Sequence, residues 1–118
     1  MQNEGLATYV AYRAKPAGLV LDGYRLIESQ EEVRKRFELC RRLMQNLQRA
    51  SGQELSSLKE RLWREGNTPR VSYVVGAVMA RRIEQVDGRL KLLKTIEGGP
   101  QAFLETYLAT SPPAEFGL

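Results

Sequence analysis

The sequence predicts an all-α, single-domain bundle of five to six helices. Three observations carry that expectation. At 118 residues the chain is long enough for one hydrophobic core and too short for two. Its apolar residues recur at alternating steps of three and four over most of its length. Helix-start and helix-stop signals punctuate it at intervals of one helix each. The 42% apolar and 27% charged residues are ordinary globular usage, which excludes wholesale disorder and collagen-like sequence. No apolar run is long enough to span a bilayer. The N-terminal stretch Met1-Gln2-Asn3-Glu4-Gly5 has neither the basic nor the apolar region of a secretion signal, so the expected compartment is the cytoplasm.

The elements follow in order. A first helix is expected from Glu4 to Arg13, with Leu6, Val10 and Tyr9 inward. It stops before Pro16, whose ring disfavours helix in the preceding residue. Lys15 to Ile27 shows no helical repeat and reads as an ordered crossing segment, extended around Leu19 to Leu21. Ser29-Gln30-Glu31-Glu32 is a capping box: the hydroxyl accepts from the third helical N–H and Glu32 reaches back to the serine N–H. A long helix starts there, with Val33, Phe37, Cys40, Met44 and Leu47 on one face. A second box, Ser51-Gly52-Gln53-Glu54, opens a helix with Leu55, Leu58 and Leu62 inward, Trp63 near its end and Gly66 as its stop.

Thr68 and Pro69 restart the chain, proline sitting where a missing helical N–H costs nothing. The β-branched run from Val71 to Val78 raises the possibility of a strand. Val75, Met79, Ile83 and Val86 nevertheless continue a helical spacing to Asp87-Gly88, so a buried helix is expected, with Gly76 admitting a close neighbour. A short helix from Arg89 to Ile96 ends at Glu97-Gly98-Gly99. Pro100 opens a last one carrying Phe103, Leu104, Tyr107 and Leu108. The helical domain thus covers residues 1–110, and the Pro-rich tail 111–118 is expected to be mobile or loosely docked.

Chemistry is bounded first by what is missing. The sequence contains no histidine, which removes imidazole as base, proton shuttle or metal ligand, and with it serine and cysteine triads and most zinc sites built by this chain alone. The single cysteine, Cys40, lies on an apolar stripe where it acts as a small hydrophobe. The +4 net charge meets the first test for a polyanion-binding protein. Arg34, Lys35, Arg41, Arg42 and Arg49 fall on one arc of the long helix, which can follow phosphates. Glu31 and Glu38 interrupt that arc, no aromatic residues interleave with it, and a solvated helix face is the commoner reading. Gly98-Gly99-Pro100 lacks the spacing and lysine of a phosphate loop, and Asp87-Gly88 lacks the alternating oxygens of a calcium loop.

The segment Asn3-Glu4-Gly5-Leu6-Ala7-Thr8-Tyr9 resembles the one that carries the third zinc ligand in gluzincin metallopeptidases. There an HExxH helix supplies two histidines and a later helix a glutamate, often as Asn-Glu. Downstream, Tyr73 to Ala80, Ile83-Glu84, Gly88-Arg89-Leu90 and Gly99-Pro100 with Phe103 and Tyr107 resemble the C-terminal helical region of zinc-dependent peptidases of that clan. The resemblance implies that Glu4 is a metal ligand, that Asn3 orients the backbone beside it, and that Tyr73 is a candidate hydrogen-bond donor to the oxyanion of a tetrahedral intermediate. The chemistry it implies is zinc-assisted peptide hydrolysis. The sequence departs from the pattern at its centre, since HExxH is absent. Where thermolysin-like members carry an aspartate four residues after the glutamate, Thr8 stands here.

Two functional classes are therefore expected. In the first, the chain is a catalytically incomplete part of a gluzincin-type zinc peptidase, either a C-terminal portion of a longer parent or a stand-alone relative that lost catalysis. Zinc then belongs to a full-length parent, and none is expected for the isolated chain. In the second, the chain is a small helical module whose arginine-rich face meets an acidic protein or, less favoured, nucleic acid. A homo-oligomer, in the first instance a dimer, is expected in either case, and a membrane partner is not.

Overall fold

The computed structural model describes residues 1–19, 21–50, 56–57, 60–61, 64 and 70–118. Its helices are α1 (Gln2–Ala14), α2 (Asp22–Glu28), α3 (Gln30–Arg49), α4 (Val71–Asp87) and α5 (Arg89–Ala109), followed by a 3-10 turn, Ala114–Phe116. The fold is an all-α single domain, with no strand among the described residues. The second capping box, the leucines 55, 58 and 62, Trp63, Gly66, Thr68 and Pro69 lie outside the described residues.

The Val-rich run is helical, and its burial explains its composition. From Val74 to Ala80 every residue is buried. Seven consecutive buried positions cannot lie on one stripe of a helix, so α4 is enclosed by neighbours on nearly all sides. Val75, Ala77, Met79 and Ile83 are wholly inaccessible. Val86, expected inward, is 54% exposed because the last turn of α4 projects past the core.

α1 packs on α4 through glycine. A methyl group added to Gly76 would stand 2.7 Å from the Gly5 Cα and closer still to the Met1 carbonyl oxygen. The two backbones are in direct contact, and only a residue without Cβ fits on either side. This geometry corrects the predicted inner face of α1. Gln2, Gly5 and Tyr9 are buried, Leu6 is half-buried, and Val10 is 63% exposed. The smallest residue, not the most apolar, sets the contact line.

α2 replaces the crossing segment expected between Lys15 and Ile27. A two-turn helix is too short to display a repeat. It is held from outside, by Ile27, which is 2% exposed. Its end also alters the capping box that follows. Ser29 Oγ accepts from Glu32 N at 3.3 Å as expected. The Ser29 N–H, however, already donates to Arg25 O at 3.0 Å, closing α2. Glu32 is thereby released to Arg36, 2.7 Å away, and Lys35, 3.2 Å away. On α3, Val33, Phe37 and Cys40 are buried, while Met44 and Leu47 are half-buried toward the helix end.

α5 is two helical pieces, as the glycines foretell: Gly99 (φ 76°, ψ −170°) breaks the helical path immediately before Pro100. The second piece buries Phe103 and Tyr107, whereas Leu108 is 41% exposed. Its end is clamped by Arg82, whose Nε donates to Thr110 Oγ1 at 2.8 Å and whose Nη2 donates to the Thr110 carbonyl at 2.9 Å. A basic side chain on the last free carbonyls is a stabilising helix end.

The tail lies against α3 and the end of α5, half-exposed along its length. The Phe116 ring lies 5.4 Å from that of Phe37, and the Tyr107 hydroxyl donates to the Phe116 carbonyl at 2.6 Å. Burial pushes the Tyr107 hydroxyl up to about 12. Arg41 donates to the Ala114 carbonyl at 2.9 Å. No helix among the described residues is long and apolar enough to cross a membrane.

Candidate functional site

Glu4 sits in the first turn of α1 between two anchors. Two residues before it, the buried Gln2 donates from Nε2 to the Thr95 carbonyl of α5 at 2.8 Å. One residue after it, Gly5 rests on Gly76 of α4. The backbone carrying the carboxylate is thus pinned to two different helices, while its side chain remains 44% exposed. Oε2 of Glu4 lies 2.6 Å from the amino group of Met1. That hydrogen bond holds the Glu4 carboxyl below its ordinary range.

Tyr73 lies one turn into α4, half-buried, and lines a depression of about 350 Å³ with Ala7, Thr8, Ala11, Tyr24 and Arg70. Arg70 stands over its ring at 5.6 Å, a cation–π contact. The Thr8 hydroxyl, on the wall of the same depression, donates back to the Glu4 carbonyl at 2.7 Å. Tyr73 therefore faces the side of α1 that carries Thr8, one helical turn from Glu4. Glu4 itself is not part of that wall.

The arginine arc of α3 is partly engaged within the molecule. Arg34 pairs with Glu115 at 3.1 Å, and Lys35 with Glu31 at 2.7 Å. Arg41 is turned onto the tail carbonyls of Ala114 and Gly117. Arg42 and Arg49 are exposed. The tail thus covers part of the arc, a contact that periodicity along α3 does not reveal.

A second concave site lies on the other side of α1 and was not singled out by the sequence. The Glu84 carboxylate, its side chain only 15% exposed, accepts at Oε2 from both the Tyr9 hydroxyl and Arg13 Nη1, the latter at 2.7 Å. The Tyr9 hydrogen bond, with the Arg13 charge, holds the Glu84 carboxyl below its ordinary range. Burial, with the carboxylate as neighbour, raises Tyr9. These groups and Arg89 line one end of a groove of about 320 Å³. Tyr9 and Arg13 are one turn apart on α1, a spacing visible in the sequence. Their partner is seventy-odd residues away and was not.

Among the described residues no set of side chains fits zinc. There is no histidine, and no group of three or more acidic or cysteine side chains gathers among the described residues. Cys40 is buried and its thiol is pushed up by burial, so it is not poised as a thiolate ligand. Glu4 alone falls short of the three or four donors that zinc takes.

Residues 1–110 match the family model described as "Putative zinc dependent peptidase (DUF5700)". The chain belongs to that family. No curated protein and no solved structure matches it. The family carries zinc in its description while this member holds no imidazole.

Proposed function

We propose that the chain is a catalytically incomplete part of a gluzincin-type zinc peptidase, inactive by itself. In this reading Glu4 is the carboxylate ligand and Tyr73 the group that steadies the transition state. The imidazole ligands and the general base come from polypeptide outside these residues. The observation that carries the proposal is the family match across residues 1–110 in a chain with no histidine. The anchoring of α1 supports it, since a metal ligand must be held by a backbone that does not shift, and Glu4 lies between the Gln2 and Gly5 contacts. No step of hydrolysis can be completed by the groups present.

The pure 118-residue protein tests this directly. After dialysis against zinc it is expected to retain no stoichiometric metal and to cleave no quenched fluorescent peptide in a chelator-sensitive way. Bound zinc together with such activity would overturn the proposal. An in-frame HExxH in the coding sequence upstream of Met1 would supply the parent. In that parent Glu4→Gln is expected to lose zinc, and Tyr73→Phe to keep zinc while kcat falls about a hundredfold.

A further inference from the structure

We propose that the groove between α1 and the first piece of α5 binds a small amphipathic monoanion: an alkyl chain ending in a carboxylate. The walls are apolar, formed by Leu6 and Val10 of α1 and by Leu92, Leu93 and Ile96 of α5. Val10, Leu93 and Ile96 are 63%, 47% and 55% exposed. Three large aliphatic side chains of two helices therefore face water across one depression, an arrangement that a bound apolar group would relieve. At about 320 Å³ the groove is at the small end of the range for small-molecule sites, about 300–1,000 Å³.

The polar end selects the head group. Arg13 is committed to Glu84, and Tyr9 donates to the same carboxylate oxygen, so that acid is already neutralised. Arg89 lines the groove as well, and among the described residues it has no ion pair or hydrogen bond from its side chain. Two guanidiniums thus face one carboxylate, leaving a surplus of one positive charge. Arg89 is also the first residue of α5, whose N-terminus has no side-chain cap, so its free N–H groups add to the positive potential there. A single surplus charge beside an aliphatic wall suits a monoanion, because a dianion would keep charge unneutralised in a half-apolar site. The groove lies apart from Glu4 and Tyr73 and is independent of the peptidase reading.

Calorimetric and ¹⁵N-resolved NMR titrations of the intact chain test this, using octanoate, octan-1-ol and N-acetyl-leucine. Octanoate is expected to bind one per chain with Kd below about 1 mM, shifting the amides of Val10, Leu93 and Ile96. Octan-1-ol is expected to bind at least about tenfold more weakly. Arg89→Gln should weaken octanoate by about tenfold and leave octan-1-ol unchanged, and Val10→Asp should abolish binding of both. Octanoate is expected to bind more tightly than N-acetyl-leucine, and the reverse order overturns the proposal by assigning the groove to peptide C-termini. The proposal is overturned if octanoate does not bind, if octan-1-ol binds equally, or if Arg89→Gln has no effect in a folded protein. It is equally overturned if Val10→Asp converts a sedimenting dimer to monomer while octanoate leaves the groove amides unshifted, which would make the face one of self-association.

Discussion

α1 touches the rest of the molecule on two sides that differ in kind. Where it crosses α4 at Gly5 and Gly76 the contact is dry and made by backbone on backbone, with no side chain between them. One to three turns further along, α1 flanks a groove shared with α4 and α5, lined by the neutralised Glu84 carboxylate of α4, two arginines and exposed aliphatic residues. The difference teaches where rigidity and where adaptability are stored. Dispersion across the glycine seam depends on fit to a few tenths of an ångström. Hydrogen bonds and exposed side chains across the groove tolerate rearrangement.

The largest effect is expected at the seam. Gly76→Ala ought to gain up to about 1 kcal/mol from helix propensity, yet the added methyl meets backbone that cannot turn aside. Overpacking of this kind costs about 1–3 kcal/mol or more, so a lower urea midpoint is expected, and a raised midpoint would show that the seam is loose. Tyr9→Phe probes the other side. It removes one hydrogen bond to Glu84 while keeping the buried ring, and chemical denaturation should register a loss of about 1 kcal/mol.

The same groove should respond to pH. Glu84 has its carboxyl held below the ordinary value of 4.5, first by the Tyr9 hydroxyl and then by Arg13. Its contribution to stability is therefore fully present above the ordinary carboxylate range and is lost as pH falls through the lowered value. Thermal unfolding followed from neutral to acidic pH should decline in that window, and Glu84→Gln should flatten the decline. An unchanged slope in the variant would place the acid sensitivity elsewhere. The smallest effect belongs to Arg13→Ala, because the Arg13 side chain is 58% exposed and an ion pair open to water is screened and contributes little. A loss as large as that of Gly76→Ala would erase the distinction between the two sides.

Local signals read well where a residue's neighbours in sequence decide its conformation. Ser29 caps α3, Gly88 ends α4, and Gly99-Pro100 breaks α5 where their dihedral and hydrogen-bonding properties require. Reading fails where the deciding partner is distant. Ser29 lends its N–H to α2, so Glu32 is redirected to Arg36. Tyr9 displaces Val10 from the core because Gly5 fixes which face of α1 meets α4. The tail, short and proline-containing, contacts Phe37 and Arg41 of α3, more than seventy residues away in sequence, as well as the nearby Tyr107. The candidate site divides in the same way. Glu4 and Tyr73 were accessible from a resemblance in short motifs. Glu84 stood within those motifs with no role until Tyr9 and Arg13 were found beside it.

The sequence by itself determined the all-α class, the boundaries set by glycine, proline and serine, the interior helix, and the absence of imidazole chemistry in this chain. These follow from backbone sterics, from periodicity and from composition, which act over a few residues or none. Only the tertiary structure decided which face of α1 is inward, where the tail rests, and that Tyr9, Arg13, Glu84 and Arg89 converge on one groove. Such choices depend on volumes and charges brought together from distant parts of the chain, and a glycine pair too small to leave a hydrophobic signature selected the central one.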